Sequence, residues 1–188
     1  MILRRAHVAL GLALALLLGA AAPAAAETLI AAVSTHRVAV TSNFAGTDLT
    51  IYGTVERDAT TVSRASGYDI AVMLVGPRRT VVTRRKDRVL GLWVNREWRT
   101  YDAPSFYAVA TTRPIDDLAP PRVLDDQQIG VGNLILPEGV PGGVEIMAGA
   151  PEFRDAFLAQ QRKAGLYAEY PSEVKFLGPH LFTTTLPI

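Results

Sequence analysis

The chain contains no cysteine, and that single absence removes a family of chemistries at once. Thiol nucleophiles, disulfide frameworks, iron–sulfur clusters, covalent haem attachment and thiolate zinc sites all require the residue. Histidine is nearly as scarce. Beyond His7 there are only His36 and His180, far apart and without a His-Glu-x-x-His pairing, so a histidine metal site has no support. An excess of one charge is lacking too. Nineteen Lys and Arg face eighteen Asp and Glu, which excludes the global positive field of a nucleic-acid-binding domain.

Catalytic patterns are missing in the same way. Ser105, in Pro104-Ser105-Phe106-Tyr107, lacks the Gly-x-Ser-x-Gly elbow that strains and exposes a nucleophile. The carboxylates of Asp116-Asp117 and Asp125-Asp126 are chain neighbours, which point apart on a helix or strand, so loop polarity or helix capping accounts for them better. Gly130, Gly132, Gly139, Gly142 and Gly143 have no phosphate-cradling spacing. No catalytic residue, cofactor ligand or metal ligand emerges, and the sequence reads as that of a non-enzymatic protein.

Segment 1–26 reads as a signal peptide. Arg4 and Arg5 precede a charge-free apolar run from Val8 to Ala22, and Pro23-Ala24-Ala25-Ala26 supplies a small-residue cleavage site before Glu27. The alternative is a retained anchor, since Val8 to Ala26 is 19 uncharged residues and a spanning helix needs about 20. Cleavage leaves 162 of the 188 residues as one domain, 27–188, and removes two basic residues, so seventeen face eighteen acids at a net charge of −1. A bacterial periplasm suits an exported chain without cysteine. Past the leader no uncharged apolar stretch is long enough to span a bilayer, so the mature chain reads as soluble.

The body predicts a mainly β fold with one helix. Arg37 to Phe44 and Asp48 to Glu56 alternate with period two, the second placing Leu49, Ile51 and Val55 opposite Thr50, Tyr52 and Thr54. Tyr68 to Val75 is apolar on both parities, which predicts a central strand, and Gly76-Pro77 stops it. Thr80 to Thr83, Val89 to Val94 and Phe106 to Thr112 continue the series. Short strands at this spacing predict an immunoglobulin-like antiparallel β-sandwich. From Arg113 prolines break the chain, with brief strands expected at Leu134 to Leu136 and Val144 to Met147. Then comes a helix over Pro151 to Ala164, with Glu152 and Asp155 early, Arg162 and Lys163 late and Gly165 after it. Its apolar face is Phe153, Ala156, Phe157 and Ala164. Val174 to Leu177 and Leu181 to Leu186 are the last strand candidates.

Two local features stand out. Arg78, Arg79, Arg84, Arg85, Lys86 and Arg88 put six cations into eleven residues, offset only by Asp87. They suit an anionic membrane surface, where each exposed cation contributes about 1 kcal/mol, or they are a solvated hairpin edge whose charges block edge-to-edge pairing. Trp93, Trp98, Tyr101, Phe106 and Tyr107 follow within fifteen residues. Beside Asn95 they would form a sugar or peptide platform, or else core and hairpin packing.

The stretch Arg84-Arg85-Lys86-Asp87-Arg88-Val89-Leu90-Gly91-Leu92-Trp93-Val94-Asn95, with Gly76-Pro77 before it and Pro104-Ser105-Phe106-Tyr107-Ala108-Val109-Ala110 after it, resembles a family of alphaproteobacterial envelope proteins of unknown function described as transmembrane proteins. The likeness continues through Ile129-Gly130, Glu152-Phe153-Arg154 and Gly165-Leu166-Tyr167 to Leu181-Phe182. It implies an exported sandwich-like domain followed by a C-terminal membrane helix, so that this chain, ending at Ile188, is expected to lack its last strands and its anchor. A sulfite-exporter-like permease is the partner it implies. The resulting expectation is an accessory or interaction domain on the periplasmic side of the inner membrane, with Arg84, Arg85, Lys86, Arg88, Trp93, Asn95 and Tyr107 as its contact surface. The alternative is a periplasmic ligand-binding module for a sugar or peptide.

Overall fold

In the computed structural model, residues 27–35, 46–56, 67–139 and 151–188 are described. The expected signal peptide, the strands expected over Arg37 to Phe44 and Val144 to Met147, and His36 lie outside them. Strand β2 (Asp48–Glu56) has the expected bounds and alternation, with Leu49, Ile51, Gly53 and Val55 buried and Tyr52 exposed. It pairs antiparallel with β1 (Thr28–Val33) on one side and β10 (Leu181–Pro187) on the other. The two-residue β9 (Lys175–Phe176) extends β10, giving the order β1-β2-β10-β9. Phe182, Thr184 and Leu186 of β10 face inward with the β2 residues, as period two requires of half-buried strands.

A second sheet has the order β3 (Ala71–Val75), β6 (Tyr107–Thr111), β8 (Tyr167–Tyr170). Every residue of β6 is buried. Tyr107 and Val109 enter one core cluster, with Tyr101, Phe153, Phe157 and Tyr167, while Ala108 and Ala110 enter the other, with Leu49, Ile51, Phe182 and Leu186. The strand expected to be central, β3, pairs only with β6 among the described residues, and its Met73 and Val75 are exposed. Both strands are apolar on both parities. What separates them is that small Ala108 and Ala110 let the first sheet approach one face of β6 while its large residues meet the aromatic cluster on the other.

The third sheet joins β4 (Arg78–Val89), β5 (Leu92–Pro104) and the short β7 (Glu138–Gly139). Here the expectation of a separate strand over Val89 to Val94 is corrected, because Leu90 and Gly91 are the two turn residues of one long hairpin. Their φ angles of 50° and 85° are the consecutive positive pair of a two-residue I′ turn. Leu90 fills a turn position that is usually polar, so Gly91 was the single break in that apolar run.

The proline-rich stretch forms two short helices, α1 (Ile115–Leu118) and α2 (Pro121–Asp126), and a 3-10 turn at Val131–Asn133. Leu134 to Leu136, expected as a strand, is not one. Helix α3 (Pro151–Lys163) matches its expected span, ending where Gly165 turns to φ 71°. It buries Phe153, Phe157 and Leu158, while Ala156 and Ala164, assigned to that face, are exposed. Phe157 stacks 5.6 Å from Tyr101 and meets Tyr167 edge-on at 6.1 Å, which fixes α3 against β5 and β8. The fold is mainly β. It differs from two antiparallel immunoglobulin-like sheets in having three sheets among the described residues, and in the parallel pairing of β6 with β8. No helix of the described residues is long and apolar enough to cross a membrane.

Candidate interaction surface

The β4–β5 hairpin carries most of the residues singled out in the sequence, and its register sorts them. Arg84 lies opposite Trp98 and Arg85 opposite Glu97. The register then shifts, so that Lys86 lies opposite Asn95 and Arg88 opposite Trp93. The extra residue makes a β-bulge, which increases local twist and re-aims the hairpin's end. Side chains alternate across the ribbon, so Arg84, Lys86 and Arg88 share one face with Trp93, Asn95 and Trp98, whereas Arg85 belongs to the opposite face with Thr83 and Asp87.

The inner face is held to the body. The guanidinium groups of Arg85 and Arg99 lie 5.8 and 5.1 Å from the centre of the Phe153 ring of α3, contacts worth about 0.5–1 kcal/mol each where partly exposed. Arg85 is also paired with Glu97 at 3.2 Å and Asp87 at 3.5 Å, and Arg99 with the buried Glu138 at 2.8 Å. Arg78, at the root, binds Asp102 through Nε at 2.6 Å and donates to the Ile135 carbonyl at 3.2 Å. Arg78 and Arg85 are therefore engaged in holding the hairpin in place.

The outer face is open. Arg84, Lys86 and Arg88 make no salt bridge among the described residues, and the Arg88 Nε donates a 3.5 Å hydrogen bond to the Gly91 carbonyl. Beyond them the end of the hairpin is apolar and open to solvent: Leu90 is 100% exposed, Leu92 71% and Trp93 69%. Val89, Val94 and Trp98 are exposed as well. This tip was missed in the sequence. The signal was a leucine beside glycine where a hairpin turn favours Asn, Asp or Gly.

Tyr107 does not belong to this surface. It is 1% exposed, at the start of β6, where its hydroxyl donates to the Gln128 carbonyl and accepts from the Gly130 N–H, both at 2.9 Å. Burial pushes its ionisation up to about 12, despite the opposing Gly130 bond. Tyr167, whose hydroxyl donates to the Pro104 carbonyl at 2.6 Å, is likewise raised by burial to about 12. The aromatic group is thus divided: Trp93 and Trp98 face solvent, Tyr101 and Tyr107 are core, and no single platform forms.

A separate groove of about 780 Å³ runs between β4 and α3. Val81 to Lys86 form one wall without a gap, so both faces of the strand contribute and the groove follows its outer edge. The other wall is Glu152, Phe153, Ala156, Phe157, Gln160 and Gln161. Among the described residues β4 pairs only with β5, so that edge is unpaired. The remaining candidates stay scattered. His180 is isolated near the start of β10, Ser105 sits in the turn between β5 and β6, Asp116 and Asp117 occupy the first turn of α1, and Asp125 and Asp126 end α2. Among the described residues no three His, Asp or Glu side chains are grouped to hold a metal ion.

Comparison with curated proteins and with solved structures finds no match to the chain. Residues 28–188 match the family described as "Putative transmembrane protein" (Alph_Pro_TM), which spans all three sheets, α3 and the hairpin. The chain belongs to that family.

Proposed function

We propose that the chain is a non-enzymatic interaction domain of the cell envelope, exported to the periplasmic side of the inner membrane, where it serves a membrane protein such as a sulfite-exporter-like permease. In this reading the first two sheets are a sandwich-like platform, the second of them mixed, and the β4–β5 hairpin is the docking element. The supporting observation is the division of labour between the hairpin's faces. Arg85 and Arg99 lock the inner face to Phe153, while Arg84, Lys86 and Arg88 on the outer face make no ion pair among the described residues. Charges and apolar side chains left open on a rigid support mark a contact surface.

The test is affinity purification of the tagged chain from detergent-solubilised membranes. A multi-spanning permease should co-purify, and Arg84→Glu with Arg88→Glu should abolish its recovery. Recovery of no permease, or equal recovery with both substitutions, refutes the reading. A second reading rests on the β4–α3 groove, whose volume and mixed aromatic and polar walls suit a sugar or an extended peptide. A binding module of that kind would show a ligand-dependent melting shift with no partner present.

A further inference from the structure

The hairpin turn contradicts its own local chemistry. Position 90 has φ 50° and position 91 has φ 85°, a pair that asparagine, aspartate or glycine adopts with least strain. A leucine there is strained, and since Leu90 is fully exposed it gains no packing in return. Leu92 and Trp93 are scarcely more covered, and from Val89 to Val94 no side chain is polar. Residues that break a local rule without stabilising the fold are expected at functional positions.

We propose that the end of the hairpin inserts into the surface of an anionic lipid bilayer, with Leu90, Leu92 and Trp93 in the boundary between headgroups and acyl chains. This rests on the reading of the hairpin as the docking element and names what its tip touches. The spacing fits. At about 3.3 Å per residue, Arg88 lies roughly 7 Å behind Leu90, Lys86 about 13 Å and Arg84 about 20 Å. Interfacial apolar groups sink about 5–10 Å, so a hairpin standing on the surface carries Arg88 to the phosphates and holds Lys86 just above them. Trp93, opposite Arg88, falls at the level where tryptophan concentrates at membrane interfaces. The nearest acids, Asp87 and Glu97, are both paired with Arg85 and make no ion pair with the outer cations among the described residues.

Both tryptophans of the chain, Trp93 and Trp98, are in this hairpin, so intrinsic fluorescence reports it alone, whatever other segment of the full chain touches lipid. With vesicles of phosphatidylglycerol and phosphatidylcholine, the Trp98→Phe chain should show a blue shift and quenching by brominated lipid. The Trp93→Phe chain should show little of either. Vesicles of phosphatidylcholine alone and inorganic phosphate should leave Trp93 unmoved, the second separating a bilayer from a free anion. Leu90→Asn and Leu92→Ser should each weaken the Trp93 response about tenfold or more, the loss expected when one leucine leaves an apolar contact. Leu90→Asn should melt no lower than the parent, which removes unfolding as the cause. Arg88→Gln should weaken the response more than Arg84→Gln. A Trp93 signal unmoved by anionic vesicles, or equal in parent and both leucine variants, overturns insertion. If the permease still co-purifies in that event, the docking reading stands and the tip's partner is protein.

Discussion

Gly53 and Phe182 face each other across β2 and β10, and a single methyl group added at Gly53 tests how the first sheet closes. A β-carbon there would stand 2.6 Å from Cε1 and 3.1 Å from Cε2 of the Phe182 ring, and nearer still to Cζ. The far end of the ring covers the space a side chain at Gly53 would take; the ring is 2% exposed and meets Phe176 edge-on at 6.2 Å. Gly53→Ala must push the ring out of a filled site, an overpacking cost of about 1–3 kcal/mol. Replacing glycine in a strand returns about 0.4–1 kcal/mol by restricting the unfolded chain, so the net loss is about 1–2 kcal/mol. In a domain of this size that lowers the melting temperature by roughly 2–8 °C. Phe182→Ala alone should cost about 3–5 kcal/mol. In the double variant the ring is gone, so Gly53→Ala should keep only its entropic gain and stabilise the Phe182→Ala chain by about 0.5 kcal/mol. Urea denaturation followed by circular dichroism measures all four corners of the cycle, with a coupling of about 2 kcal/mol expected. If Gly53→Ala costs the same with and without the ring, the ring does not cover the glycine and the packing argument is wrong.

Tyr107→Phe should cost about 1–3 kcal/mol, measured by the same denaturation, because it leaves the Gln128 carbonyl and the Gly130 N–H without their hydroxyl. At alkaline pH, Tyr107 and Tyr167 hold their protons to about 12 in the folded chain against about 10 when unfolded. Their contribution is complete below pH 10 and lost as pH rises to 12. Stability should fall across that window, with the tyrosinate absorbance at 295 nm rising late; a midpoint near 10 for both would contradict their burial. Arg99→Met keeps an aliphatic stem over Phe153 but leaves the Glu138 carboxylate, 7% exposed, without its cation. The expected loss is about 2 kcal/mol, less than for a fully buried pair because Arg99 is 36% exposed. Equal stability in parent and variant would refute the pairing.

Elements with one wet face were legible in the sequence. β2 and β10 alternate cleanly because each buries a single side, and α3 was bounded by Pro151, its late cations and Gly165. The two-sided strands were harder. Tyr68 to Val75 and Tyr107 to Thr111 have the same apolar pattern, and only tertiary packing decides that β6 lies between two clusters. The hairpin turn was hidden because Leu90 occupies a position normally marked by a polar residue. Tyr107 was misplaced because proximity to Trp93 and Asn95 along the chain says nothing about which side of a strand a ring points to. Of the candidate surface residues, the register groups Arg84, Lys86, Arg88, Trp93 and Asn95 on one face of the hairpin, whereas parity puts Arg85 on the inner face and Tyr107 lies in the core.

The pairing of β2 with β10 joins segments far apart in the chain, the contact between Thr50 and Thr185 spanning 135 residues. Phe182 and Leu186 join the Leu49, Ile51 and Val55 side of the smaller core cluster only through that closure. Loops of this length are slow to close, and contacts of high order slow folding more than they affect final stability. The antiparallel pair of β1 and β2 therefore waits, open along the other edge of β2, until β10 has been delivered. While that edge of β2 is open it can pair with any other extended segment, so the wait for β10 is the interval in which this chain is most prone to misassembly.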